Sequence, residues 1–162
     1  MQADSRPLKI YLDTCCLSRL FDPLTQARVR QEAEAVNRIL TYCFSGHWYW
    51  IASDVLLNEV NRTPDLEERT QIKTWLTFAY QTVHIGVGEI SRGIQLEALG
   101  FKGRDALHLA CAESGEVNFF LTTDDRLLSR AKRYPNRLHI HVENPYTWLR
   151  ETENGHLRND RS

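Results

Sequence analysis

Apolar and polar positions alternate between two rhythms along the chain. Five short apolar or β-branched runs predict strands: LKIYL at 8–12, HWYWIA at 47–52, TVHIG at 82–86, VNFFLT at 117–122 and LHIHV at 138–142. The segments between them carry helical spacing. Pro23 closes a short helical turn region over 14–22. Val29, Ala33, Val36, Ile39, Leu40 and Phe44 predict a long amphipathic helix over 25–44, ended by Gly46. Ser53 or Asp54 is placed to cap the helix DVLLNEVNR, which stops before Pro64. Further helices are predicted over 65–80, 87–99 and 103–115, and over 124–134 with Thr123 or Asp124 at its start. A strand followed by repeated helix-and-strand units predicts an α/β fold: a three-layer α/β/α sandwich on a mainly parallel central sheet. Residues 1–150 are expected to form one domain. Residues 151–162 are expected to be a polar, flexible tail, unless Trp148 and Leu149 anchor it on the body or on a partner.

Composition narrows the classes without choosing one. The 162 residues carry 25% charged and 42% hydrophobic residues, which excludes a disordered or collagen-like chain. A net charge of -1 argues against a generally basic nucleic-acid coat protein but permits a local nucleic-acid surface. Neither a signal peptide nor a transmembrane run of about 18 apolar residues is visible, so a cytoplasmic location with no membrane partner is expected. Cys15, Cys16, Cys43 and Cys111 match no zinc spacing and read as reduced thiols.

Four acids change the picture more than composition does. Asp13 ends the first predicted strand, and Glu59 lies in the helix after the second. Asp105 opens a helix, and Asp124 follows VNFFLT. In open parallel sheets ligands collect at the carboxyl ends of the strands, where these acids can meet. Carboxylate clusters suit hard cations such as Mg2+ or Mn2+ beside phosphates, and such a site suits phosphodiester hydrolysis. The same positions also suit structural work. Asp13, Asp105 and Asp124 fit capping or first-turn roles, and Glu59 fits an exposed helical acid. Position alone leaves both readings open, along with an acidic cleft that only binds.

Three segments resemble the PIN-domain family of metal-dependent ribonucleases, which includes the small VapC-type toxins. They are IYLDTCCLSRLFD at 10–22, SDVLLNEV at 53–60 and GRDALHLACAESGEVNFFLTTDDRLL at 103–128. The first is similar to the family's opening strand, acid and threonine. The second is similar to the helix that carries its glutamate. The third is similar to its D-A-x-x-x-A-x-A helix, strand and T-x-D turn. The resemblance spans roughly residues 8 to 142. It implies a PIN-like fold and an endoribonuclease that uses one or two Mg2+ or Mn2+ ions. Asp13, Glu59, Asp105 and Asp124 would be the catalytic, metal-binding acids. Thr14 and Thr122 would orient them, and Asp125 would assist Asp124 or be an exposed helix acid. Many members carry Asn where this chain has Cys15. That departure motivates the alternative of a non-catalytic RNA- or protein-binding module; a structure-specific DNA nuclease is a third reading.

Substrate contacts are less sharply marked. The acid-free run RLLSRAKRYPNR at 126–137 offers Arg126 and Arg130 as phosphate contacts, or is an ordinary solvated helix face. Arg104 and Arg19 can meet phosphate, or pair with acids. The aromatic run at 47–50 fits core packing better than base stacking. His84, His139 and His141 read as structural or surface groups, whereas His108 shares a helical face with Asp105. The resemblance implies an RNA substrate, an antitoxin protein and a homodimer as partners.

Overall fold

The computed structural model describes residues 6–159, with side chains described through residue 155. Strands β1 (Lys9–Leu12), β2 (Tyr49–Ser53), β3 (Gln81–Val83), β4 (Phe119–Leu121) and β5 (His141–Glu143) form one sheet in the order β3-β2-β1-β4-β5. Every neighbouring pair is parallel. Around the sheet lie α1 (Thr14–Ser18), which runs into a 3-10 turn at Arg19–Phe21, then α2 (Ala27–Phe44), α3 (Asp54–Asn61) and α4 (Leu66–Leu76). They are followed by α5 (Val87–Ala98), α6 (Gly103–Ser114), α7 (Asp125–Lys132) and α8 (Pro145–Asn159).

Strand alternation sorts the core into two layers. Ile10, Leu12, Trp50, Ala52 and Leu121 face one side, where α1, α2, α3, α4 and α8 cover them. Tyr11, Ile51, Val83 and Phe120 face the other, under α5, α6 and α7. Both faces of the central strands are therefore dry, as parallel sheets require, and β1 reads as an unbroken apolar run for that reason. The result is a three-layer α/β/α sandwich.

The chain order creates one crevice. From β1 the chain adds β2 and β3 on one side, and later β4 and β5 on the other. The order reverses between β1 and β4, the place where open α/β sheets bind ligands. Leu12 and Leu121 stand opposite each other at the carboxyl ends of these strands. Asp13 N–H donates to the Leu121 carbonyl at 2.9 Å, which ties the two exits together.

Several expected elements differ: the third strand is Gln81–Val83 rather than 82–86, and the helix expected over 65–80 ends at Leu76. The last strand is His141–Glu143 rather than 138–142, because Leu138 and Ile140 are spent on the core beneath α7 instead of the ladder. The segment after 150, expected as a polar tail, continues α8. Asn144 caps that helix through Oδ1 bonds from Tyr146 N at 2.8 Å and Thr147 N at 3.3 Å. Pro145 starts it, a position where the missing N–H costs nothing. Trp148 and Leu149 are buried, and Glu153 pairs with Arg38 at 2.8 Å. Residues 160–162 lie outside the described residues. Among the described residues no helix is long and apolar enough to cross a membrane.

Candidate active site at the switch point of the sheet

Four elements deliver the four acids to one hollow of about 400 Å³, lined also by Thr14 and Cys15. Asp13 leaves β1 and caps α1, with Oδ1 accepting from Thr14 N at 2.8 Å. Its Oδ2 accepts from Thr122 Oγ1 at 2.9 Å and from the Cys15 thiol at 3.4 Å. Thr122 also uses its hydroxyl oxygen to accept from Asp124 N at 3.1 Å. One buried threonine therefore sets the spacing between the first and last acids. Asp124 caps α7 through Oδ1, which takes Arg126 N at 2.9 Å and Leu127 N at 3.3 Å. Its Oδ2 has no hydrogen-bond partner among the described residues. The capping and site readings are thus not rivals: a single oxygen of Asp124 does the capping, and the other stays open.

Cys15 stands where the family resemblance expects Asn, yet it still joins the two strand exits. Its sulfur accepts from Thr123 N at 3.3 Å while its thiol reaches Asp13. A hydrogen bond from Cys16 is the main reason its pKa lies below the ordinary thiol value, with Thr122 and Thr123 adding to the effect.

Asp105 sits in the first turn of α6, half-buried, with no donor among the described residues. Burial raises its pKa to about 6, helped by the charges of Asp13 and Asp124. Glu59, from α3, accepts from His108 Nε2 at 2.5 Å. Burial alone would raise the Glu59 pKa, but the His108 bond and charge hold it below the usual carboxylate value. Burial pulls His108 down, but its bond to Glu59 together with the charges of Asp13, Glu59 and Asp105 holds it above the imidazole norm. Both directions favour Glu59 as the acceptor and His108 Nε2 as the donor in this bond.

The remaining sequence candidates scatter. Arg104 and Lys102 line the hollow and act on it by charge, Arg104 on Glu59 and Lys102 on Asp105. Arg19 turns elsewhere: Glu32 at 2.8 Å and Asp22 at 3.0 Å hold its guanidinium. Asp125 likewise points away from the acids, because Arg28 grips both of its oxygens at 2.8 Å. Arg126 and Arg130 line a separate hollow of about 350 Å³ on α7, with Ser129 and Arg133. Arg130 is partly committed, since it donates to the Leu99 carbonyl at 3.4 Å. Its guanidinium lies over Gly100, where a Cβ would come within 2.3 Å of Nη1, so only glycine admits this contact. Buried Tyr11 and Ser53 support the site from behind and carried no sequence signal, since one reads as core and the other as a cap.

The donor chemistry fits a hard divalent cation. The charges of Asp13 and Asp124 add to the burial that makes Asp105 costly to ionise. Among the described residues, however, no three His, Cys, Asp or Glu side chains close into a group that could hold a metal ion. The acids surround a space instead of meeting at a point.

The sheet order and its flanking helices make this a PIN-like three-layer sandwich. A chain of VapBC2 from Rickettsia felis, crystallised bound to a DNA fragment from their promoter, matches with a TM-score of 0.54. It is 14% identical, over 83% of this chain and 98% of that one, a likeness of fold. No protein-family model matches the sequence, and no curated protein matches it.

Proposed function

We propose that this protein is a Mg2+- or Mn2+-dependent endoribonuclease of the VapC type, the toxin of a toxin–antitoxin pair. The observation that carries the reading is the meeting of Asp13, Glu59, Asp105 and Asp124, from four separate elements, around one hollow at the switch point. A divalent ion bound there would acidify water and offset charge on the phosphodiester. Asp13, Asp105, Asp124 and Glu59 would hold it. Thr122 and Cys15 keep Asp13 oriented, and the open oxygen of Asp124 faces no competing donor. Lys102 and Arg104 bring positive charge to the same hollow, where a phosphate would enter. Arg126 and Arg133 offer further phosphate contacts along α7. The fold likeness to VapBC2 supports an antitoxin protein as partner, and the family resemblance alone implies a second copy of the chain.

Incubation of the purified protein with an RNA panel, with and without Mn2+, tests the reading alongside Asp13→Asn and Asp105→Asn. Cleavage that needs the metal and disappears in both variants is expected. Equal cleavage by all three proteins would overturn the assignment.

The open arrangement of the acids favours one competing reading, a module that binds RNA without cutting it. Its signature is RNA binding that survives chelation, with no cleavage of any substrate. DNA flap substrates in the same panel separate a DNA nuclease from both.

A further inference from the structure

A row of buried polar groups runs from the core into the acidic hollow. Ser53, at the end of β2, accepts from Leu56 N at 3.2 Å, and its hydroxyl meets Tyr11 Oη at 2.6 Å. Tyr11 Oη meets His108 Nδ1 at 2.6 Å, and His108 Nε2 meets Glu59 Oε1 at 2.5 Å. The same Nε2 lies 3.8 Å from Asp13 Oδ1. Tyr11 and Ser53 are 0% exposed and His108 1%. The row therefore links β2, β1, α6 and α3, and only its last member, Glu59, opens onto the hollow.

We propose that His108 is a positioning residue: held by Tyr11 and Ser53, its imidazole fixes where the Glu59 carboxylate stands in the acidic hollow. The role it would serve there rests on the nuclease reading. Three observations carry the geometry. The Tyr11 ring cannot swing, because it stacks on Phe120 at 5.1 Å between centroids and meets the His108 ring edge-on at 5.7 Å. The contacts also admit a consistent set of protons: Ser53 Oγ accepts from Leu56 N and can give its proton to Tyr11, Tyr11 can give its own to Nδ1, and Nε2–H then donates to Glu59, so every donor in the row has an acceptor. Lastly, a buried polar row is costly unless each member is satisfied. An apolar residue at 108 would fill the same core without that demand, so the imidazole earns its place through the carboxylate that it holds.

Carboxylates at metal sites depend on such outer partners, whose loss typically costs about 10–100-fold in metal affinity or activity. The test uses the full chain as wild type, H108Q, H108L, Y11F, E59Q and the H108L/E59Q double variant. Mn2+ affinity and RNA cleavage are measured for each, with thermal stability alongside. Imidazole NMR is recorded without metal. H108L should lose about 10–100-fold in Mn2+ affinity and cleavage. H108Q, which keeps an N–H donor near Nε2, should recover part of that loss, and Y11F should fall between it and wild type. In the E59Q background H108L should cost nothing more, since its effect passes through Glu59. A full additional loss in that background would overturn the proposal while leaving the nuclease reading intact. Should H108L not fold, the NMR of wild type, Y11F and E59Q decides. A downfield, slowly exchanging Nε2–H that is lost in E59Q supports the proposal, and a bare or freely exchanging Nε2 overturns it. Wild type that neither binds Mn2+ nor cleaves would overturn the nuclease reading, and the same NMR signals would still decide the positioning claim.

Discussion

The fold treats the buried carboxylate of Glu32 and the carboxylates of the acidic hollow in opposite ways. Glu32 of α2 is 2% exposed, yet each of its oxygens is fully occupied. Oε1 takes Arg19 Nε at 3.0 Å and Nη2 at 2.8 Å; Oε2 takes Asn144 Nδ2 at 2.6 Å and Arg28 Nε at 3.4 Å. In the acidic hollow, among the described residues, Asp105 has no donor and Asp124 keeps one oxygen open. A carboxylate that serves the fold is surrounded by donors supplied by the chain. A carboxylate left short of donors, among others of its own charge, is arranged for something that the chain does not supply.

The largest effect should separate these groups outright. Asp13→Asn is expected to lower RNA cleavage by about 10²-fold or more, the scale of losing several kcal/mol of metal-assisted stabilisation. Glu32→Gln should leave cleavage unchanged and instead cost about 1.5–3 kcal/mol of stability, because it gives up charge-assisted bonds in a buried place. Parallel cleavage assays and urea melts check both. If Glu32→Gln were as inactive as Asp13→Asn while still folded, the distinction between the two groups would be wrong.

Stability against pH sharpens the same contrast. The Asp105 carboxyl is raised from an ordinary 3.8 to about 6, so the folded state resists its ionisation. A raised pKa adds stability below the unfolded value and loses it as pH rises through the folded one. The metal-free wild type should therefore lose stability from this group between about pH 4 and pH 6. Asp105→Asn removes the penalty. The variant should match wild type in Tm below about pH 4 and exceed it above about pH 6, by an amount of order 1 kcal/mol, though inactive. Thermal melts across that range check the crossing, and a constant difference at every pH would refute it.

Much of this was legible in the sequence because local rules governed it. Strand–helix alternation, the Ser53 cap and the Asp13 and Asp124 strand exits follow from hydrophobic period and capping chemistry. What stayed hidden depends on partners distant in the chain. Glu32 reads as one more acid on a long helix until Arg19 and Asn144 converge on it. His108 shares a face with Asp105, yet its actual partners are Glu59 and Tyr11, from α3 and β1. The helix beyond 150 was obscured by polar composition, since its anchors, Trp148 and Leu149, lie in its first half.

The basic face of α7 gives a smaller, graded effect. Among the described residues Arg126 and Arg133 have no acid partner, unlike Arg19 and Arg28. If they meet single-stranded RNA phosphates, each alanine substitution should reduce the slope of log K against log salt by about 0.7. Filter binding of a catalytically silent Asp13→Asn protein at several salt concentrations measures this. An unchanged slope would assign α7 to ordinary solvated surface.

The smallest effect belongs to Asp125, and it tests the contrast from its far side. This acid follows Asp124 directly, but its side chain is 68% exposed and both oxygens are held by Arg28. Proximity in sequence would give it a share of the chemistry; satisfaction by a cation denies it one. Exposed ion pairs contribute about 0–1 kcal/mol, so Asp125→Ala should change stability by no more than that. Metal-dependent cleavage should stay at the wild-type rate. The freed Arg28 still has Glu32 and the Thr123 carbonyl within reach, which limits the loss further. A large fall in cleavage without a fall in stability would move Asp125 into the reacting group and dissolve the boundary between satisfied and unsatisfied acids.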